Sequence, residues 1–299
     1  MTYHRPALLN ESIEGLNIRP DGVYVDVTFG GGGHSRAILD RISTGRLIAL
    51  DQDADALVNE PDDKRLVLER GNFRFLRNYL AHHGYRKIDG ILADLGVSSH
   101  HFDDDGRGFS FRHDDAPLDM RMNTAAQLTA KAVVNQYPED SLRYIFAEYG
   151  ELPNAQRLAR QIVTARRNAV INSSGQLVAV IGQCIPRGSE NKYLAKVYQS
   201  LRIEVNSELE NLKALLMQSV DLLQQGGRLV VIAYHSLEDR LVKNFFKNGM
   251  LEGTAEKDIY GNVNVPFRTV NNRAIVPTDG EIEVNNRARS AKLRIGERN

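Results

Sequence analysis

The chain has 299 residues, of which 42% are apolar and 25% charged, the balance of an ordinary globular protein with room for one large or two smaller domains. No apolar run approaches the roughly 18 residues that span a bilayer, and "MTYHRPALLNES" lacks the layout of a secretion signal. The one cysteine, Cys184, excludes an intrachain disulfide, so a cytoplasmic protein without membrane attachment is expected. Net charge is zero, but it is unevenly spread. Residues 155–202 carry eight Lys/Arg and one acid, and residues 287–298 five basic residues and one acid. Such stripes, rather than the whole-chain sum, decide whether a phosphate backbone can dock.

In chain order, the first hundred residues alternate strand and helix signals. "VYVDVTF" (23–29), "RLIALD" (46–51), "RLVLERG" (65–71) and "IDGILADLG" (88–96) are short, apolar and β-rich. Near-continuous apolar strands separated by helices predict a parallel sheet covered on both faces. "FLRNYLAHHG" reads as a helix, with Leu76, Tyr79, Leu80 and His83 on one face and Gly84 at its C-terminal end. Residues 103–119 are turn-rich loop. From about Ser110 to Leu201 the pattern is helical only. "EDSLRYIFAEYG" places Leu142, Ile145, Phe146 and Tyr149 on one face, and helices are also expected in "AQRLARQIVTARRNAV" and "GQLVAVIGQC". A long, broken helical stretch over 192–224 leads to a buried strand starting after the Gly-Gly of "QQGGRLVVIAYHS", and "SAKLRIGE" (290–297) is the last strand. One α/β domain, 1–110 with 206–299, is thus split by a helical insertion, 111–205.

Between the first strand and its helix lies "DVTFGGGGHSRAI" (26–38), the position of a nucleotide-binding loop in such sheets. The dinucleotide pattern G-x-G-x-x-G/A fails, since its last position falls on Ser35 or Arg36. The phosphate-loop pattern fails because no Gly-Lys-Ser/Thr follows. An Asp/Glu-x-Gly-x-Gly-x-Gly arrangement of the S-adenosylmethionine type survives as Asp26, Thr28, Gly30 and Gly32. Asp51, ending the second strand, is placed to accept hydrogen bonds from ribose hydroxyls. Phe73, after the third strand, is placed to pack on adenine, and Asp94, ending the fourth, to stand beside the transferred methyl group. No metal is expected.

The motifs "FGGGGHS", "IDGILADLGVSS", "RGFSF", "PLDMRM", "YQSLRIEVNSEL", "YHSLEDRLVK" and "RARSAKLR" follow one another from end to end of the chain. Together they closely resemble the bacterial 16S ribosomal RNA cytosine-N4 methyltransferase (MraW) family. The resemblance implies a class I S-adenosylmethionine-dependent methyltransferase, a Rossmann-like α/β sheet with an inserted all-helical domain. It implies methyl transfer to the exocyclic N4 amine of a cytosine in the decoding region of 16S rRNA, in the small ribosomal subunit. Carried over by motif, cofactor contacts fall on Gly32, Gly33, His34, Asp51, Phe73, Asp94 and His101, with Gly31 permissive. His101, in "GVSSHH", replaces a glutamine and offers one hydrogen-bonding role where an amide offers two.

Asp94 is the leading catalytic candidate, as acceptor for the amine; it stands in Asp-Leu-Gly-Val-Ser-Ser, without the prolines common at this point in amine methyltransferases. Asp119 and His235 are second choices. The structural alternative for Asp119 is a salt bridge to Arg121, and for His235 a place just ahead of a helix cap formed by Ser236 and Asp239. Phe109 and Phe111 are either base-stacking residues or loop anchors. On the helix at 155–170, Leu158, Ile162, Ala165 and Ala169 share one side. Arg157, Arg160 and Arg167 form the other, an expected RNA-binding face. Alternatives of another kind are a methyltransferase with a different substrate and a non-catalytic ribosome-assembly factor.

Overall fold

The structure, a computed structural model, describes residues 6–97, 104–251 and 265–299. Its frame is a seven-stranded sheet in the order β3-β2-β1-β4-β5-β7-β6. The strands are β1 (Val23–Asp26), β2 (Arg46–Asp51), β3 (Leu66–Arg70), β4 (Ile88–Asp94), β5 (Leu223–Ala233), β6 (Phe267–Thr269) and β7 (Lys292–Arg298). The first five run parallel, and β7 lies antiparallel between β5 and β6. This order, with one reversed strand near the edge, is the class I methyltransferase sheet expected from the resemblance.

Alternation along the strands makes two cores. Val25, Ile48, Leu50, Ile91, Ala93, Leu229 and Val231 enter one, while Tyr24, Leu47, Ala49, Leu92, Val230 and Ile232 enter the other. Successive strand residues point to opposite faces, so each apolar run feeds both. Helices α1 (Leu9–Leu16) and α2 (Gly33–Leu39) cover the second face, through Ile13, Leu16, Ile38 and Leu39. Helix α3 (Leu76–His82) covers the first with Leu76 and Leu80, and ends as expected with Gly84 at φ +80°.

The chain divides into two compact units, residues 1–96 with 209–299, and residues 97–208. The divisions fall at 96 and 208, where the sequence placed them at 110 and 205. Among its described residues the second unit is helical, with α4 (Ala130–Gln136), α5 (Glu139–Tyr144), α6 (Ala155–Ala165), α7 (Ser174–Ile181) and α8 (Glu190–Asn206). Its core is its own, from Phe109 and Leu118 through Leu142, Phe146, Leu158 and Ile162 to Leu201 and Val205. Returning to the first unit, α9 (Glu208–Leu222) starts after Ser207, whose φ of +51° makes the expected break. Helices α10 (Ser236–Asn248) and α11 (Asp279–Val284) complete the fold.

Four details depart from the sequence reading. First, β5 begins before the Gly-Gly pair, which does not stop the previous helix. Ile88 pairs with Leu223 and Gly90 with Arg228, so residues 224–227 bulge out and Gly226 turns at φ +78°. Second, α5 runs into a π-turn at Ile145–Tyr149, closed by a bond from Gly150 N to Ile145 O. Third, α6 stops at Ala165, because the Arg166 guanidinium turns away to donate to the carbonyls of Val134 (2.7 Å) and Tyr137 (2.6 Å). Ala169, assigned to the buried side, is exposed beyond the helix end. Fourth, β6 has only three residues and leaves no period to read.

Candidate active site

The glycine loop owes its shape to the protein's own packing. Gly30 and Gly32 have φ of +51° and +74°, in the left-handed region. A Cβ on Gly32 would come within 2.8 Å of the Phe29 ring, and one on Gly33 within 2.2 Å of Pro6 Cγ. Gly31 is exposed. From behind, Arg36 donates to the carbonyls of Gly31 (2.7 Å) and Asn59 (2.8 Å), and Asn59 Nδ2 donates to Gly30 O (3.1 Å). Neither Arg36 nor Asn59 was singled out in the sequence. Arg36 entered the sequence reading only as a position where the dinucleotide pattern fails, and Asn59 closes a turn at Ala54–Asn59 with no motif.

Three carboxylates end the strands nearest this loop. Asp51, ending β2, accepts from Gly30 N through Oδ2 (2.8 Å) and from Asp53 N through Oδ1 (2.9 Å). Asp26, ending β1, is wholly buried and accepts from Ser35 Oγ (2.7 Å) and Thr28 N (3.1 Å). Burial raises its pKa to about 6, against the hydrogen bonds from Ser35 and Thr28. Asp94, ending β4, receives the Tyr234 hydroxyl on Oδ1 at 2.8 Å, and its backbone N donates to Thr28 Oγ1 at 2.7 Å. Thr28, where the general pattern has its first glycine, thus contacts both Asp26 and Asp94.

The Asp94 side chain is 21% exposed, yet its pKa is pushed up to about 7. Burial is the main cause, the Tyr234 hydrogen bond opposes it, and the charges of Asp26 and Glu238 add to it. His34, on α2, is buried with Nδ1 3.6 Å from Asp94 Oδ2. Burial lowers its pKa to about 4 against the raising effect of the Ala7 carbonyl, so the imidazole is neutral near pH 7. Among the described residues its Nε2 is buried and has no hydrogen-bond partner.

The other predicted residues have these places. Phe73 is half-buried, packed on the core beneath β3's end in the turn Phe73–Phe75. His101 lies outside the described residues. Asp119, in the helical unit, takes a two-pronged bond from Arg121, Nε to Oδ1 at 2.8 Å and Nη2 to Oδ2 at 2.6 Å. Burial would raise its pKa, but the hydrogen bonds from Arg121 bring it below the usual carboxylate value. His235 is itself the N-cap of α10, one residue earlier than the sequence placed the cap. Its Nδ1 accepts from Glu238 N, and Glu238 reaches back to complete the capping box. Phe109 is buried, and Phe111 packs edge-on against Tyr198 with centroids 5.4 Å apart. Both anchor their loop. Arg157 and Arg160 are exposed on α6, with Arg160 3.7 Å from Glu139, while Arg167 is exposed beyond the helix.

The donor set argues for a particular ligand. Asp26, Asp51 and Asp94 end the strands at the loop, and the Arg36 guanidinium beside it is taken up by the carbonyls of Gly31 and Asn59. Such a set repels phosphate and favours a cation with ribose hydroxyls. A model of the MraW methylase family matches residues 1–299. The chain belongs to that family. The methylase is 56% identical to the ribosomal RNA small subunit methyltransferase H of Bacteroides thetaiotaomicron over 299 residues, covering 100% of this chain and 98% of that one. Against the protein of the same description from Flavobacterium johnsoniae it is also 56% identical, with the same coverage. Among solved structures, an rRNA methylase from Streptococcus thermophilus aligns with a TM-score of 0.44 at 10% identity, covering 100% of this chain and 98% of that chain.

The methylase is an S-adenosylmethionine-dependent methyltransferase, and its site fits that cofactor. The unpartnered His34 Nε2 offers a buried polar contact, Asp51 an acceptor for hydroxyls, and the acidic surroundings complement a sulfonium and an ammonium group. Among the described residues no helix is long and apolar enough to cross a membrane.

Proposed function

We propose that this methylase modifies the exocyclic N4 amine of a cytosine in the decoding region of 16S rRNA, within the small ribosomal subunit. The motif series and the relatives' names support the RNA; the observation that carries the amine chemistry is Asp94. Held by the glycine loop and Asp51, the cofactor would supply an electrophilic methyl group and keep the C–S bonding pair on its own sulfur. Asp94 meets the other need of the reaction. A cytosine amine is a poor nucleophile because its lone pair is delocalised into the ring, and after transfer it must lose a proton. A carboxylate that titrates near 7 takes that proton and returns it to water at neutral pH. His34, neutral and buried, orients without competing for the proton. Holding the amine in line is the site's larger contribution, since near-attack alignment is worth about 7–11 kcal/mol in favourable cases.

Methylation at ring carbon C5 would call for a cysteine nucleophile. The sole cysteine, Cys184, is buried in the core of the helical unit, where burial raises its pKa. Nitrogen transfer therefore fits the residues present. In the same reading the helical unit binds RNA through Arg157, Arg160 and Arg167. The target base leaves its stack to reach the site, at a cost of a few kcal/mol unless already unpaired.

The test is Asp94→Asn, assayed on small subunits lacking the modification. Turnover should fall at least about a thousandfold, while S-adenosylmethionine binding by calorimetry changes by less than about tenfold. Full turnover in the variant would remove Asp94 from the chemistry.

A further inference from the structure

Asp94 is pinned at both ends. Its backbone N donates to Thr28 Oγ1 on one side, and its Oδ1 receives the Tyr234 hydroxyl on the other. Tyr234 stands directly after β5 and is fixed in turn. Its backbone N donates to Glu238 Oε2 at 2.9 Å, within the capping box of α10. Its ring lies against Gly96, where an added Cβ would come within 3.2 Å of Cδ2 and where φ is +101°. Glycine at 96 thus lets the ring approach the end of β4.

Resting on the reading of Asp94 as proton acceptor, we propose that Tyr234 is a positioning residue for that step. Its hydroxyl holds Oδ1 of Asp94 and leaves Oδ2 as the oxygen that takes the amine proton. In the transfer, an N–H bond of the methylated amine breaks, the proton goes to Oδ2 and the bonding pair stays on nitrogen; Tyr234 keeps its own proton throughout. Two features suit it to the task. Burial and the neighbouring Asp94 carboxylate raise the Tyr234 pKa well above 10, so the phenol is a donor across the working pH range. A donor on Oδ1 also favours the ionised carboxylate, offsetting the burial and the charges that raise its pKa. Among the described residues, the titratable groups facing Asp94 are Asp26 at the end of β1, His34 on α2, Tyr234 after β5 and Glu238 on α10. Near pH 7 His34 is uncharged and both acids disfavour ionisation, which leaves Tyr234 as the one of the four that promotes it.

The experiment compares Tyr234→Phe, Asp94→Asn and the parent full-length protein. The Asp94 carboxyl is titrated by carbon NMR without cofactor, its signal assigned by its loss in Asp94→Asn. Single-turnover rates on small subunits are measured from pH 5.5 to about 9. In Tyr234→Phe the carboxyl midpoint should rise by about one pH unit, and the acidic limb of the rate profile should follow it. The rate near pH 6.5 should drop about tenfold and largely recover at high pH. S-adenosylmethionine affinity should stay within about threefold. A fluorinated tyrosine at 234, a stronger donor of the same shape, should move the midpoint the other way. An unchanged midpoint and acidic limb in Tyr234→Phe, with Asp94→Asn inactive, would overturn the role of Tyr234 alone. A loss of rate that is uniform across pH would do the same, because a merely structural ring would act that way. An active Asp94→Asn protein would overturn the acceptor reading itself.

Discussion

Gly32 and Gly33 show how the cofactor loop can be demanded by the protein before any ligand arrives. An alanine at 32 must take φ +74° against the Phe29 ring, and one at 33 must displace Pro6. Each substitution is expected to cost about 1–3 kcal/mol in a denaturant melt, whereas Gly31→Ala, at an exposed position, should stay within about 0.5 kcal/mol. Asp94 gives a second prediction at this scale. Its folded pKa of about 7 and that of Asp26 near 6 both lie above the unfolded aspartate value of about 3.9. The folded chain therefore binds more protons between about pH 4 and 7, and these two groups contribute stability that is lost as pH rises through that window. Asp94→Asn cannot ionise. It should melt a few degrees above the parent at pH 8, with the difference fading towards pH 4, as thermal melts across pH would show. Of these residues, the glycines, His34, Asp51 and Asp94 were legible because a motif and strand ends mark them. Tyr234 was not: it meets Asp94 across 140 positions of sequence, and only the sheet order brings β4 and β5 side by side.

Among the elements, the strands that feed both cores were readable from their apolar runs, and β2 matched its expected bounds at Arg46–Asp51. Elements shaped by a tertiary partner were not. The early end of α6 follows from Arg166 bonding the carbonyls at the end of α4, and the cap of α10 was misplaced by one because histidine is an unusual N-cap. The glycine pair in β5 reads as a stop in sequence, yet parallel pairing with β4 on both sides of the bulge keeps the strand continuous. For α6 the RNA-binding proposal makes its own prediction. Replacing Arg157 and Arg160 together by alanine should weaken binding to small subunits at low salt. The slope of log affinity against log salt should fall by about one for each phosphate that is no longer neutralised. An unchanged slope in a filter-binding titration would take these arginines out of the interface.

At the scale of the whole chain, the α/β unit is interrupted after Gly96 and resumed at Leu209, and the described residues of the insertion, from helices and loops alike, pack a core of their own. The interruption was visible as a loss of strand signals and a gain of basic residues. Its edges were not, since residues 97–110 carry turn chemistry that suits either unit. The class I sheet explains a methyl donor; the choice of acceptor atom rests on Asp94 and the absence of an exposed cysteine. The most direct measurement is to incubate the purified protein with labelled S-adenosylmethionine and unmodified small subunits, digest the RNA to nucleosides and identify the labelled product by mass. Label in N4-methylcytidine, present with the parent protein and lost with Asp94→Asn, is the predicted result. Label on C5 or on a ribose oxygen, or equal labelling by the variant, would contradict it.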